Sequence, residues 1–503
     1  MHGNCIKKVI VCITNNVVSD SRVKRQINAL ADQFESVHVI AMSSPSSDFG
    51  IERRNVTHSF ANSVYDFYRP ISFFRKHLKR WGLFQEMLDI APVLEYCSFK
   101  MKENYYTAKY NYLASSGRYA EIRNRKASNE TGAQAIGYIL AFFYTSISMA
   151  LEAEKYEADA IICNDADTLL AGVVHKKARG TRLIYDLHDL RADLSEELFP
   201  LMYSEQTVLF ENHFIRYADA VMGATKSLLE WAQLHYEISV PIIPIYNCGN
   251  NTNVLIENKE YTNKDKLVLY YHGYAYKVRK LELLINAVAP LDHVEAVIRS
   301  EANDYIEELK KMAADLKIEN KVHFVDLVST DQVYQAANRD GDIGVYLTDP
   351  SACINWRCAF TNKFLEYLTA GLPVITSDTR EQAEVVSKYD CGWVLKDLTV
   401  EGLQNLIMEI ARQKEQLSAK SRNAAETGRN VFCWDIYKKK LIDLVSGDCD
   451  AEEGFYNNAN VNVADLWKTQ ELSIQKTVNS IKHLPYFLKG HLLNCADVKG
   501  KEK

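Results

Sequence analysis

The chain of 503 residues has no excess of basic charge: 59 Lys and Arg stand against 65 Asp and Glu, a formal net charge of −6. That excludes the global positive field through which a nucleic-acid binder attracts phosphates. A cysteine framework is missing too. The 11 cysteines are odd in number and scattered. Cys353 and Cys358 lie close together, but no Cys-x-x-Cys pairs with a second one, so no zinc site is expected. Scattered thiols suit a reducing cytosol, and a cytoplasmic location is expected. No apolar run is long enough for a membrane span. The best candidate, Ala135–Leu151 (AIGYILAFFYTSISMAL), carries Thr145, Ser146 and Ser148 and falls short of the ~20 apolar residues a span needs, so a buried helix is expected there. The opening MHGNCIKKVIVCITNN is too short for a signal peptide and reads as a first strand. Internal repeats and low-complexity tracts are also missing.

What the sequence does contain is an alternation of short β-branched runs with longer helical patterns. Lys8–Ile13 reads as a strand, Ser21–Phe34 as a helix with Val23, Ile27 and Leu30 on one face, and Val37–Met42 as the next strand. A β-α-β opening of this kind signals a parallel sheet with crossover helices. Further strands are expected at Ala160–Cys163, Arg182–Leu187, Ala220–Gly223 and Ile242–Tyr246. A second series runs through Leu267–His272, Val294–Ile298, Val322–Val325, Asp342–Leu347, Pro373–Thr376 and Gly392–Leu395. Between the two series, Asn247–Lys266 is polar and strand-free and reads as the linker. The fold class is therefore α/β, with two Rossmann-like, doubly wound domains facing across a cleft. The first domain is expected at 1–247, with a helical insertion at about 65–150. The second is expected at 260–430, and 431–503 reads as C-terminal helices packing back on the first domain, one of them near Ser473–Leu493. Ligands of such sheets sit beyond the carboxyl ends of the strands.

The sharpest motif is Asn362-Lys363-Phe364-Leu365-Glu366-Tyr367-Leu368-Thr369-Ala370-Gly371-Leu372-Pro373. Phe364, Leu365 and Leu368 give a helix an apolar face, and Gly371-Leu372-Pro373 stops it and starts a strand. Thr361 and Asn362 fall at or just before its N-terminus, where free N–H groups and the positive end of the dipole suit a diphosphate. Glu366 falls one turn later, and a carboxylate there can accept hydrogen bonds from both hydroxyls of a ribose. An ordinary amphipathic helix with a surface Glu-Lys pair fits the same spacing.

This run resembles the nucleotide-binding signature of family 4 glycosyltransferases of the GT-B fold. Other elements resemble the family in the same order. Asp20-Ser21-Arg22-Val23 is similar to its Asp-x-Arg-Val turn, and Tyr156–Leu169 to its strand and loop ending in an acidic residue. Tyr185-Asp186-Leu187-His188-Asp189, Ala218-Asp219-Ala220-Val221 with Ser227, and Ile245-Tyr246-Asn247 follow. Tyr271-His272-Gly273 with Arg279 and Leu281–Leu284 completes the series, so that the likeness covers about Lys8 to Tyr437.

The resemblance implies a retaining glycosyltransferase that moves a sugar from a nucleotide-sugar donor to a glycan or lipid-linked acceptor. Polysaccharide or glycolipid biosynthesis is the implied setting. Arg279 would pair with the donor diphosphate, since a guanidinium binds oxyanions bidentately. Gly273, Thr361, Asn362 and Lys363 would complete that grip, and Glu366 would hold the ribose. His188 and Asp189 would be the catalytic pair facing the sugar and acceptor. Asn15, Asn16 and Arg22 would line the acceptor side. The family implies no metal and no separate cofactor, because the nucleotide-sugar is a substrate. Asp165-Ala166-Asp167 spells the metal motif of the other large glycosyltransferase fold and reads as coincidence.

Two departures stand out. Many relatives carry a second Glu eight positions before the first, where this chain has Cys358, with Asp349 nearby as a substitute. Relatives often have a Gly-rich turn after the first strand, where this chain has Thr14-Asn15-Asn16-Val17-Val18. Two alternatives therefore stay open. One is a non-catalytic GT-B scaffold or binding partner in a glycan-assembly complex. The other is a sugar-nucleotide epimerase, which would need paired carboxylates across the cleft. Tyr65–Arg80, extended by Trp81, Leu83 and Phe84, mixes Arg69, Arg75, Lys76, Lys79 and Arg80 with aromatics. Peripheral contact of residues 65–84 with the inner membrane face is one reading, and a solvated cap over the acceptor side is the other. No nucleic-acid partner is expected.

Overall fold

Strand β1, Lys8–Cys12, is buried from Val9 onward, and its KVIVC run is the continuous apolar type that suits a strand covered on both faces. It pairs in parallel with β2, Ser36–Met42, on one side and β4, Ala160–Asn164, on the other. With β3 (Val56–Ala61), β5 (Arg182–Leu187), β6 (Ala220–Gly223) and β7 (Ile242–Pro244), they form a seven-stranded sheet of order β3-β2-β1-β4-β5-β6-β7. These coordinates come from a computed structural model, which describes residues 6–448 apart from 15–16, 18–19, 43–49, 63–70, 91–130, 191–200, 237, 250–258, 260 and 262–263. The expected helix near Ser473–Leu493 and the packing of 449–503 lie outside the described residues.

The crossover after β1 is the helix Ser21–Gln33. Asp20 caps it, accepting from the Arg22 and Val23 N–H groups at 3.1 Å each, and Val23, Ile27 and Leu30 are fully buried on the expected face. The helix Thr131–Ala153 takes in the long apolar run. Phe142, Phe143, Ile147 and Ala150 are buried, and Ser146 is satisfied by the Phe142 carbonyl at 3.0 Å. No helix among the described residues is long and apolar enough to cross a membrane.

Strand β3 is absent from the sequence-based expectation. It is an edge strand, VTHSFA, half open to solvent and without an apolar run to announce it. Polar pairing across the register takes the place of burial there. The His38 ring bonds Thr57 Oγ1 at 2.7 Å and Ser59 Oγ at 3.0 Å. Strand β7 is shorter than expected and ends at Pro244, which offers no N–H to continue the ladder.

The second unit has its own sheet of β8 (Leu267–His272), β9 (Val294–Arg299), β10 (Val322–Val325), β11 (Ile343–Tyr346), β12 (Val374–Ser377) and β13 (Gly392–Leu395). Its order is β10-β9-β8-β11-β12-β13, every pair parallel. Leu267, Leu269, Ala296, Ile298, Ile343 and Val345 pack with Leu284, Ile285 and Val288 of the helix Leu281–Val288 to form its core. By internal contacts, one unit comprises Met1–Gly223, Leu229–Pro244 and Lys440–Lys503, and the other Ala224–Leu228 and Ile245–Lys439. The end of the expected linker belongs to the second unit. Lys264 reaches both oxygens of buried Asp342 at 2.5 and 2.6 Å, and Tyr261 is fully buried. The two sheets are Rossmann-like. In each, the order reverses between the first strand and the fourth, which is where such sheets bind ligands.

Candidate functional site

In the second unit, the reversal falls between β8 and β11. β8 ends at His272, and Gly273 follows with φ +97°. A Cβ at 273 would stand 2.4 Å from Lys363 Cε and 2.8 Å from its Nζ, so the bare backbone is what lets Lys363 lie there. The chain then runs into a short turn, Lys277–Arg279. Arg279 Nη1 donates to the hydroxyl of Tyr346 at the end of β11, with the guanidinium carbon 5.1 Å from the centre of that ring. Its Nε is buried with no hydrogen-bond partner among the described residues. The Tyr346 hydroxyl also meets the Thr361 side chain.

Thr361 caps the helix Asn362–Thr369, its Oγ1 accepting from Phe364 N at 3.4 Å. Phe364, Leu365 and Leu368 are buried, which fixes the helix against the sheet and leaves Lys363 and Glu366 on the other side. Asn362 is exposed, and its Oδ1 accepts from Asn247 Nδ2 at 2.8 Å. Lys363 Nζ lies 5.9 Å from the centre of the Tyr271 ring. Burial and then the Arg279 charge lower its pKa to about 8, against the pull of Glu366. Two cations are thus held together with little local compensation. Glu366 Oε2 is 2.6 Å from His272 Nε2, and the opposite ring nitrogen, Nδ1, is buried with no partner among the described residues.

Gly273, Arg279, Thr361, Lys363 and Glu366 are therefore gathered in one place. Sequence reasoning assigned no role to His272 or Tyr346. The available signal was position: each ends a strand beside the order reversal. The two substitute positions are occupied locally. Asp349 accepts from the N–H and hydroxyl of Ser351 at 2.9 and 2.6 Å, and those bonds hold its carboxyl below the usual range. Cys358 is fully buried, and burial pushes its thiol up to about 12.

In the first unit a second polar cluster sits at the ends of β4 and β5. Buried Asp186 accepts from Arg22 Nη2 at 2.5 Å and from Gln26 Nε2 at 2.6 Å. His188 bridges two carboxylates, with Nε2 3.2 Å from Asp186 Oδ2 and Nδ1 3.5 Å from Asp165 Oδ2. Burial would lower the His188 pKa, but Asp165 and Asp186 together raise it to about 9, so the ring is a cation at neutral pH. Asp186 is held well below the carboxylate range: burial opposes ionisation, and Arg22 and His188 outweigh it. Arg22 is only 5% exposed and is spent on Asp186, and Asp189 is exposed. Asp165 faces His188 and sits at φ +67° ahead of the helix Ala166–Arg179. Asn15 and Asn16 lie outside the described residues.

Residues 255–429 match the family model for glycosyl transferases group 1. No curated protein matches the chain by sequence. Among solved structures, the fold is similar to sucrose-phosphate synthase from Thermosynechococcus elongatus, at 14% identity and a TM-score of 0.58 over 87% of this chain and 98% of that one. It is similar to Anabaena HepE in complex with UDP and glucose, at 14% identity and a TM-score of 0.57 over 88% of this chain and 100% of that one. It also resembles WaaG, a glycosyltransferase involved in lipopolysaccharide biosynthesis, at 14% identity and a TM-score of 0.52 over 87% and 100%. Residues 255–429 thus match the glycosyl transferases group 1 model, and the two Rossmann-like sheets have the GT-B fold of these glycosyltransferase structures.

Proposed function

We propose that the chain is a retaining glycosyltransferase that moves a sugar from a nucleotide-sugar to a glycan or lipid-linked acceptor. One observation carries the reading: Gly273, Arg279, Lys363 and Glu366 converge at the order reversal of the second sheet. Two cations with few counter-charges, beside a helix N-terminus, suit a diphosphate. Glu366 one turn further on suits ribose hydroxyls, with His272 holding one of its oxygens. That HepE was solved with UDP supports a nucleotide-sugar as donor.

An acceptor hydroxyl would attack the anomeric carbon on the face from which the diphosphate departs. Negative charge grows on that diphosphate in the transition state. Arg279, Lys363 and the N–H groups at the start of Asn362–Thr369 would meet it, the kind of preorganised charge that stabilises such a transition state. The reading calls for no metal, since these groups supply the positive charge. His188, fixed between Asp165 and Asp186, would offer a cation to the sugar and acceptor. Asp186, bonded to Arg22 and His188, would act by holding them.

A lipid-linked acceptor fits a cytoplasmic protein that touches the membrane through residues 65–84. Within that segment, Arg80 Nη2 and Trp81 Nε1 both bind Glu154, and Arg75 and Lys79 lie over the Phe84 ring. Membrane contact would involve Arg75, Lys76 and Lys79, and Arg69 lies outside the described residues. A second reading, a scaffold that keeps the fold without turnover, is favoured by Cys358, an uncharged buried thiol where many relatives have an acid.

The test is incubation with UDP-, GDP- and ADP-sugars, reading slow hydrolysis and the anomer of the released sugar by NMR. The expected result is turnover of at least one donor with its configuration retained, lost in Glu366→Ala. An inverted product contradicts retention. No turnover with any donor, alongside tight nucleotide binding, supports the scaffold.

A further inference from the structure

The loop from β8 to Arg279 reads Gly273-Tyr274-Ala275-Tyr276. Tyr274 is 42% exposed and Tyr276 47% exposed; the other large apolar side chains this open among the described residues, Leu316, Leu327 and Ile436, are aliphatic. The two rings lie against each other, centroids 4.3 Å apart and planes at 35°. Their backbone is pinned. Ala275 between them is 1% exposed, its N–H donates to Ser300 Oγ at 3.2 Å, and its carbonyl accepts from Asn303 Nδ2 at 3.1 Å. The Tyr274 carbonyl accepts from the Tyr271 hydroxyl at 2.7 Å. With Ala275 facing the core, its two neighbours are directed outward.

A single exposed tyrosine is ordinary on a protein surface. Two rings stacked on a pinned loop and open to solvent, between a glycine and an arginine of the anion site, are a preorganised aromatic surface. We propose that Tyr274 and Tyr276 are a stacking platform for a pyranose ring of the substrate. The C–H groups on one face of a pyranose form an apolar patch that suits the negative face of an aromatic ring, while its hydroxyls stay at the rim in water. A sugar is favoured over the nucleobase by the order of parts. Gly273 and Arg279, which bracket the platform, belong to the diphosphate end, to which the sugar is bonded directly. The base is separated from that end by the ribose at Glu366. The inference rests on the glycosyl-transfer reading, and the ring can belong to the donor sugar or to the acceptor.

The experiment compares wild type, Tyr274→Phe/Tyr276→Phe and Tyr274→Ala/Tyr276→Ala. Each is titrated with UDP, GDP and ADP, with the corresponding glucose donors, and with a panel of methyl pyranosides in the presence of the diphosphate that binds. The platform predicts unchanged diphosphate affinity in all three proteins, each of them folded. The Ala variant should lose ~3–10-fold in affinity for a sugar-bearing ligand, while the Phe variant keeps it, because stacking needs the ring and not the hydroxyl. A loss confined to the nucleotide-sugars assigns the donor ring, and one confined to the pyranosides assigns the acceptor. Equal affinities of wild type and Ala variant for every sugar-bearing ligand overturn the platform, as does a loss in diphosphate affinity, which would mean that the rings stack a base. A wild type that binds no diphosphate overturns the functional reading, and the platform with it.

Discussion

Lys363 sits where its own charge is costly. Its pKa of about 8 follows from burial and from Arg279, and a bound diphosphate would remove that cost by supplying the missing anion. The free protein should therefore lose donor kcat/KM as pH rises through about 8, when Lys363 gives up its proton. Lys363→Arg should move that limb beyond pH 10, and a limb that stays put contradicts the assignment. His188 titrates with the opposite sign. Its folded pKa of about 9 lies above the ~6.5 of an unfolded chain. The stability it adds is fully present below pH ~6.5 and is lost as pH rises through about 9. An imidazole NMR titration should show the raised value, and Asp165→Asn should bring it down. A His188 that titrates near 6.5 in the folded protein would remove the cation from the proposed mechanism. At this scale the sequence was partly legible. Lys363 and Glu366 stand in one motif of fixed spacing and Arg279 in another, which also contains His272 without giving it a role, whereas Tyr346 ends an ordinary strand and only the sheet order brings it to the site. Arg22 belongs to a motif as well, but the motif does not reveal that its guanidinium is committed to Asp186.

At the scale of elements, the junction of β8 with its loop is the sensitive point. Gly273→Ala puts a methyl group 2.4 Å from Lys363 Cε on a backbone at φ +97°. It should cost about 1–2 kcal/mol of stability and displace Lys363, weakening diphosphate binding more than folding. Denaturant unfolding and calorimetry on the same sample separate the two effects, and unchanged binding would show that Lys363 is not part of the grip. A second element-level feature is buried Glu381. It accepts from Ser227 N at 3.0 Å, Ser227 Oγ at 2.8 Å and the Tyr246 hydroxyl. Removing one donor by Ser227→Ala should cost about 1–3 kcal/mol in urea unfolding, because it strips a hydrogen bond from a buried carboxylate. A cost near zero would mean that the network relaxes around the loss. The apolar strands of both sheets were legible as runs bounded by turns. β3 was not, because an edge strand made of Thr, His and Ser carries no burial signal, and β7 was cut short by Pro244.

On the scale of the whole molecule, both sheets repeat one topological idea: a first strand flanked by the second and the fourth, all parallel. That order is not written in any local pattern. It follows from right-handed crossovers between alternating strands and helices, and the alternation itself was visible in sequence. What the alternation could not supply is how the polar ends of the strands meet. In the second unit they gather two cations, a carboxylate and a helix N-terminus. In the first they clamp a histidine between two aspartates. Isothermal titration of UDP, GDP and ADP into wild type, Arg279→Ala and Glu366→Ala tests this gathering most directly. The account predicts that at least one diphosphate binds wild type and that each substitution weakens it by roughly 10-fold or more with the fold intact. Diphosphate binding that is absent from wild type, or equal in all three proteins, would contradict it.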